Sequence, residues 1–293
     1  MRICFSCQRE FKGDNWTCPT CGKAPTIQAG IPLFAPELEA DESGYQQNYF
    51  EEIRNLEDGS FWFRARNALI QWGVARYFPR AETFLEVGCG TGFVLNGLRA
   101  RFPGLRLTGS ELSSRGLAIA AERLPDADLL QMDARALPFR SQFDLIGAFD
   151  VIEHIQEDDR VLGEIYRALR PGGGILLTVP QHPFLWSDVD VFAHHVQRYR
   201  CSDLIEKLQR QGFIVLRKTS FVSFPLPLLM LSRLVGRLRP ESRKGKAELS
   251  LPKWIDRALG GVMGLERAAI RTGMSFPLGG SLLVIAQKSK GDS

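Results

Sequence analysis

The stretch "FLEVGCGTGFV", residues 84–94, constrains the fold of this chain more than any other. The run from Phe84 to Val87 suits a buried strand, and Gly88, Gly90 and Gly92 follow it within five positions. Glycines at that density let the backbone turn sharply and approach a ligand closely before the next helix begins. A unit of strand, glycine loop and helix offers free backbone N–H groups to an anionic or polar ligand, and several cofactors are bound this way. Which cofactor it serves has to be read from the rest of the chain.

Beyond the loop, "FVLNGLRARF" reads as an amphipathic helix and "LRLTGSELS" as a short strand ending in the acid Glu111. An acid at the end of the second strand of a doubly wound sheet can accept hydrogen bonds from ribose hydroxyls, and about 20 residues separate it from the loop in such units. That much fits any nucleoside cofactor. The loop itself narrows the choice, because "EVGCGTG" is not the G-x-G-x-x-G dinucleotide pattern: its glycines alternate and an acid precedes them. Downstream, "EDDRVLGEIYRALRPGG" predicts a helix with a glycine stop and "GILLTVP" another buried strand. Strand and helix therefore alternate, which builds a parallel sheet with its ligands beyond the carboxyl ends of the strands. Gly88, Glu111, Asp133 and Asp150 all fall there.

In combination, "FLEVGCGTGFV" with Glu111, "LLQMDARALPF", "FDLIGAFDVIEHI" and "LRPGGGILLTVP" resembles the class I methyltransferases that use S-adenosylmethionine, including ubiquinone-pathway O-methyltransferases. The resemblance covers residues 82–218. It implies an α/β fold with a doubly wound, mostly parallel, Rossmann-like sheet of seven strands, the last two ("IVLRKTS" and "GSLLVIAQKS") antiparallel at its edge. It also implies roles: Glu86, Gly88, Cys89, Gly90 and Gly92 around the methionine moiety, Glu111 and Leu112 at the ribose, Asp133 and Ala134 near the adenine, and Asp150 or Val151 at the floor after the fourth strand. The competing readings are that Glu111 caps a helix and Asp133 serves a turn.

At the amino terminus, "CFSCQREFKGDNWTCPTCGK" holds two CxxC pairs, Cys4 with Cys7 and Cys18 with Cys21. Four thiolates presented by two turns complete a tetrahedral zinc site, and so short a segment needs a metal or disulfides to fold. A structural zinc ribbon is expected, with disulfides as the alternative. Full thiolate coordination leaves no position for a reactive water, so no catalytic role is expected of the metal. Trp16 and Lys12 could form a binding face, or Trp16 could be the module's own core.

The chain's 293 residues, 44% hydrophobic and 24% charged, suffice for a full core plus a small accessory unit. A net charge of +4 is too small to announce nucleic-acid binding, and the start "MRICFSCQRE" has no apolar signal core, so the expected location is cytoplasmic. The expected division is a ribbon and linker over 1–40, a core with leading helices over 41–218, an insertion over 219–276, and the last core strand and tail over 277–293. Within the leading helices, Asp58 or Ser60 is expected to cap the second.

Two segments are candidates for the substrate side. In the first, "VPQHPFLWSDVDVFAHHVQRYRCSDL", His195 is the first choice as general base, with His194 and Tyr199 as further candidates and Arg198 placed to fix an acidic substrate. "DVIEH" offers a rival: Asp150, Glu153 and His154 resemble the metal-binding run of ubiquinone-pathway O-methyltransferases, where magnesium or another divalent ion would sit. The competing reading of the same pattern is a helix cap. The second segment, the insertion, starts apolar and ends basic. It reads as a helical lid over a substrate pocket or, through residues 221–246, as a membrane-surface contact, and its prolines and arginines exclude a transmembrane span. Opposite it, Trp62 could wall the pocket and Arg66 could meet a carboxylate.

The expected activity is methyl transfer to oxygen or nitrogen of a small, apolar or amphiphilic acceptor. An rRNA or tRNA methyltransferase guided by the ribbon is the first alternative. A non-catalytic, cofactor-binding scaffold is the second.

Overall fold

A computed structural model describes residues 1–13, 15–41, 49–231 and 251–291. The centre is a sheet in the order β10-β11-β9-β8-β5-β6-β7-β4-β3. Its parallel heart is β5 (Thr83–Val87), β6 (Arg106–Glu111), β7 (Asp128–Gln131), β8 (Phe143–Phe149) and β9 (Leu169–Pro180). β5, β8 and β9 carry continuous apolar runs because helices cover both faces of the sheet. Phe84, Leu145 and Leu176 pack into one layer with α3 (Phe61–Tyr77), α4 (Phe93–Arg101) and α5 (Ser114–Arg123). Leu85, Ile146 and Leu177 pack into the other with α6 (Asp158–Ala168) and α8 (Cys201–Arg210). β10 (Phe213–Phe221) and β11 (Ser281–Lys288) close one edge antiparallel, as expected.

At the other edge the sheet is longer than the expected seven strands. The segment read as a linker folds into a hairpin, β3 (Thr26–Gln28) and β4 (Ile31–Leu33), and β4 adds in parallel to β7. A short helix, α1 (Pro36–Asp41), follows it. The reason is physical: β7 would otherwise present an open edge of unpaired backbone groups, and the hairpin covers it.

The cysteine module, with its own small strands β1 (Arg2–Ile3) and β2 (Glu10–Phe11), does not hang free. Ile3 N–H donates to Pro138 O (2.9 Å) and Arg140 N–H to Met1 O (2.9 Å). Trp16 stands edge-on to Phe34 and Phe139, with ring centroids 4.7 and 5.7 Å away. Trp16 is thus the joint between module and domain rather than an open binding face.

Helices α2 (Tyr49–Glu57) and α3 lead into β5. Ser60 occupies the N-cap of α3, but its side chain makes no capping bond. Asp256 supplies the carboxylate instead, accepting from Phe61 N–H at 2.5 Å. Asp256 belongs to the helix Lys253–Arg271 of the insertion, so one bond caps α3 and ties the insertion to the domain. No helix among the described residues is long and apolar enough to cross a membrane. Residues 232–250, which hold much of the segment considered for membrane contact, lie outside the described residues.

Candidate functional site

The strand order reverses between β5 and β8, and a cavity opens beyond the carboxyl ends of these strands, as expected at such a switch point. Its volume is ≈ 580 Å³. All the residues expected to face the cofactor line it except Gly92. Gly92 starts α4 with φ +75°, and a Cβ there would come within 2.9 Å of Leu124. Gly88 has φ +69°, and a Cβ would meet Val151 at 2.5 Å, so this turn requires glycine.

The acids are poised for a polar ligand. Glu86 is buried, Oε2 has no hydrogen-bond partner, and burial pushes its carboxyl well above the usual range. Glu111 accepts from Gly90 N–H (3.0 Å), Leu112 N–H (2.8 Å) and Ser113 N–H (3.2 Å), while burial raises its pKa. The helix that follows is capped by Ser113, which accepts from Gly116 N–H, so Glu111 is not that cap residue. Asp133 takes both the backbone N–H (2.8 Å) and the side-chain Nε (3.0 Å) of Arg135. Sequence reasoning missed Tyr49, Phe50 and Ile53 of α2, which form the opposite wall. It also missed Glu57, which accepts from Thr91 Oγ1 (2.5 Å) and Arg123 (2.9 Å). Helical spacing marked α2 as amphipathic, but nothing local shows which cavity its buried face closes.

A second cavity of ≈ 310 Å³ adjoins the first, sharing Tyr49, Phe63, Arg66, Phe149, Asp150 and His154 with it. Trp62 and Phe61 wall it from α3, and Val222, Leu229 and Leu251 from the insertion and its flanks, so part of the expected lid does face a pocket. His195 and Arg198 line it from the loop after β9.

Several expected roles need correction. Asp150, at φ +58°, forms an ion pair with Arg66 and accepts from Thr178 Oγ1 (2.9 Å). Arg66 is therefore already matched by a carboxylate, and its guanidinium lies 4.5 Å from the Trp62 ring centre. Arg198 is likewise committed, donating to Asp190 Oδ1 (2.6 Å) and Gln181 O (3.0 Å). Tyr199 is buried with its hydroxyl on Asp158 (2.6 Å), burial and that carboxylate raise its pKa, and it lines neither cavity. His194 is exposed at φ +56° and also lines neither.

His195 lines the second cavity. Its Nδ1 lies 2.9 Å from Asp190 Oδ1, which fixes the ring and leaves Nε2 for other contacts. Asp190 was not foreseen, although the S-x-x-D spacing of Ser187 and Asp190 marks the capping box that holds it. Burial pushes the Asp190 pKa up, but His195, Arg198 and the Ser187 N–H more than offset this and bring it to about 2. Burial and the neighbouring His195 lower His154 to about 4.

The expected divalent-ion set is also rearranged. With Asp150 turned to Arg66, the ligand atoms that come within 4.8 Å of one another belong to Glu153, His154 and His195. Glu153 is fully buried with neither carboxylate oxygen hydrogen-bonded, and its Oε1 is 3.9 Å from His195 Nε2. Two imidazoles and one carboxylate suit a transition metal better than magnesium.

The four cysteines of the amino-terminal module are free thiols whose sulfurs lie within 4.8 Å of one another. Cys4 and Cys21 are 3.6 Å apart, Cys7 and Cys18 3.7 Å. A tetrahedron with zinc–sulfur bonds of about 2.3 Å has edges of about 3.8 Å, so the donor set fits zinc.

The sheet, its switch-point cavity and the buried acids define a Rossmann-like α/β domain shaped for a nucleoside-bearing cofactor. Residues 85–177 match the methyltransferase domain family. The chain is 30% identical over 167 residues to the demethylmenaquinone methyltransferase of Chlorobaculum tepidum, covering 52% of this chain and 69% of that protein. It is 28% identical over 168 residues, 56% of this chain, to a Mycolicibacterium smegmatis protein named "probable S-adenosylmethionine-dependent methyltransferase", and spans 63% of that relative's length. In fold it is similar to Haemonchus contortus phosphoethanolamine N-methyltransferase 2, with a TM-score of 0.57 and 22% identity over 85% of this chain and 59% of that one. The chain belongs to the S-adenosylmethionine-dependent methyltransferases.

Proposed function

We propose that the protein transfers a methyl group from S-adenosylmethionine to an oxygen or nitrogen of a small, uncharged, apolar acceptor. The observation that carries this reading is the shared wall between the cofactor-type cavity and the second, mostly apolar one. Glu86 and the backbone of Gly88 and Gly90 would hold the amino-acid end of the cofactor, Glu111 its ribose hydroxyls and Asp133 its adenine amine. Bound there, the cofactor supplies an electrophilic methyl on a sulfonium. The chain's own work is alignment of the acceptor, exclusion of water and removal of one proton. His195, oriented by Asp190, is the base in this reading.

An uncharged acceptor follows from the arginines. Arg66 and Arg198, which line the second cavity, are each matched by a carboxylate, so an acidic acceptor would enter without a free partner. The same pairing speaks against an RNA phosphate there. Structural zinc at Cys4, Cys7, Cys18 and Cys21 and a reducing, cytoplasmic location remain part of the proposal, supported by the free thiols and their spacing.

The test is methyl transfer from labelled cofactor to phenols, hydroxylated quinones and amines of apolar character, run beside their carboxylated analogues and bulk RNA. Incorporation into the neutral acceptors is expected, and His195→Ala should lower it by about 100-fold while leaving S-adenosylhomocysteine affinity unchanged. Incorporation only into RNA or acids would overturn the acceptor reading. Cofactor binding without transfer to any acceptor would favour the scaffold. A second reading, a divalent ion held by Glu153, His154 and His195, is favoured by the two unpartnered Glu153 oxygens. It requires that EDTA abolish transfer and that added manganese or zinc restore it.

A further inference from the structure

The two loops that carry Glu111 and Asp133 are held from behind by the first 41 residues. Gln131, fully buried, sits at the centre of this arrangement. Its backbone O accepts from Phe34 N–H (2.8 Å), next to the β4–β7 pairing. Its side-chain amide closes a double bond pattern with Ala35, accepting from Ala35 N–H (2.9 Å) and donating to Ala35 O (2.8 Å). The amide's second N–H reaches Leu112 O (3.1 Å). One side chain thus joins the hairpin to the residue after Glu111, and the same residue stands two positions before Asp133.

Two further ties reinforce it. Glu39 of α1 accepts from Ser114 N–H and Ser114 Oγ, both at 2.7 Å, at the first turn after the Glu111 loop. At the far side of the Asp133 loop, Ile3 bonds Pro138, and Trp16, placed between the two cysteine pairs, packs on Phe139 and Phe34. Among the described residues the cysteine module's own buried cluster is Cys4, Phe11 and Cys18, with Cys7 packed against it, a core too small to hold its shape without a metal. Loss of that shape frees Trp16 and removes one of the clamps on the Asp133 loop.

We propose that the cysteine module and its hairpin are a built-in positioning unit for the nucleoside end of the cofactor cavity, so that metal binding at the four cysteines and cofactor binding reinforce each other. Gln131 and Glu39 are positioning residues in this device, acting through the loops of Glu111 and Asp133. The inference rests on the cavity being the S-adenosylmethionine site. Linkage makes the coupling reciprocal: zinc tightens the cofactor, and the cofactor tightens zinc.

The experiment uses the full chain and two readouts besides activity. Calorimetric titration with S-adenosylhomocysteine, before and after zinc is stripped with a chelator, should give affinity weaker by roughly 5- to 100-fold in the stripped protein. Conversely, saturating S-adenosylhomocysteine should slow zinc transfer to a chromogenic chelator. Gln131→Ala and Glu39→Ala should retain one zinc, bind S-adenosylhomocysteine more weakly, and show a smaller change on stripping than the parent protein. These zinc-loaded variants keep the test decisive if stripping unfolds the whole chain. Equal affinity with and without zinc, or an unchanged affinity in Gln131→Ala, would overturn the coupling alone. Failure of the zinc-loaded parent to bind S-adenosylhomocysteine would remove the cavity reading, and the coupling with it.

Discussion

Asp190→Asn is the substitution whose cost can be worked most directly from the geometry. Asp190 is fully buried and accepts from Arg198 Nε (2.6 Å), His195 Nδ1 (2.9 Å) and Ser187 N–H (2.8 Å). Asparagine keeps the shape and removes the charge, which leaves the Arg198 guanidinium, only 5% exposed, with Gln181 O as its remaining partner. Breaking a buried pair in this way costs about 3–5 kcal/mol. An independent figure comes from the Asp190 pKa of about 2. Set against about 3.9 in the unfolded chain, it corresponds to about 2.5 kcal/mol. A loss of about 2.5–4 kcal/mol should lower the melting temperature of a domain this size by roughly 5–15 °C. Because the folded pKa is depressed, the stabilisation is present above about pH 4 and disappears as the pH falls towards 2. Urea unfolding of both proteins at neutral pH and at steps down from pH 4 reads the difference. A melting temperature within 2 °C of the parent at neutral pH, or a difference that fails to narrow as the pH drops below 4, would refute the argument. S-adenosylhomocysteine affinity should not change, since neither Asp190 nor His195 lines the cofactor cavity.

Gly90→Arg should abolish S-adenosylhomocysteine binding measured by calorimetry, because a long side chain on a residue that lines the cavity would fill it and the φ of +50° strains any side chain in this loop. Cys18→Ser should remove about one zinc per chain by metal analysis and melt the amino-terminal module, with the main unfolding transition retained. Glu153→Gln should flatten the pH dependence of stability as the pH rises above the ordinary carboxylate range. Burial raises the Glu153 pKa well above the ordinary value, so the native state keeps a proton that the unfolded chain has released, and stability falls as pH rises through that window. An unchanged slope in the variant would show that Glu153 carries its charge in the fold.

What the sequence reveals about this molecule depends on whether a residue's role is set locally. The parallel strands were legible because burial on both faces leaves continuous apolar runs such as Leu145–Phe149, and the loop was legible because positive φ at Gly88 and Gly90 demands glycine. The hairpin at Thr26–Leu33 was read as a linker since Pro32 and Gly30 are poor strand residues. Its pairing is decided by the open edge of β7, which lies about a hundred residues away. Asp150 was assigned by spacing to a metal set, but its left-handed backbone turns the carboxylate to Arg66. A polar-looking run drew Tyr199 towards catalysis and Arg198 towards an acidic substrate; their partners in the structure, Asp158 and Asp190, become visible only once the loop is folded.

The wall between the two cavities links these errors to function. A base, two arginines and three acids at such a site could have made it strongly charged, and from the sequence Arg198 and Arg66 were candidates to meet an acidic group even though the acceptor itself was expected to be apolar or amphiphilic. Folding pairs them off: Arg66 with Asp150, Arg198 and His195 with Asp190, while burial raises the Glu153 pKa and lowers that of His154. The result is a site whose two arginines each already face a carboxylate. In the proposed reading, discrimination there would rest on shape and on the cost of desolvating a charge, a cost of several kcal/mol for an unpaired ion. A neutral hydroxyl or amine on an apolar body escapes that cost and can still reach the one imidazole whose ring is fixed by a carboxylate.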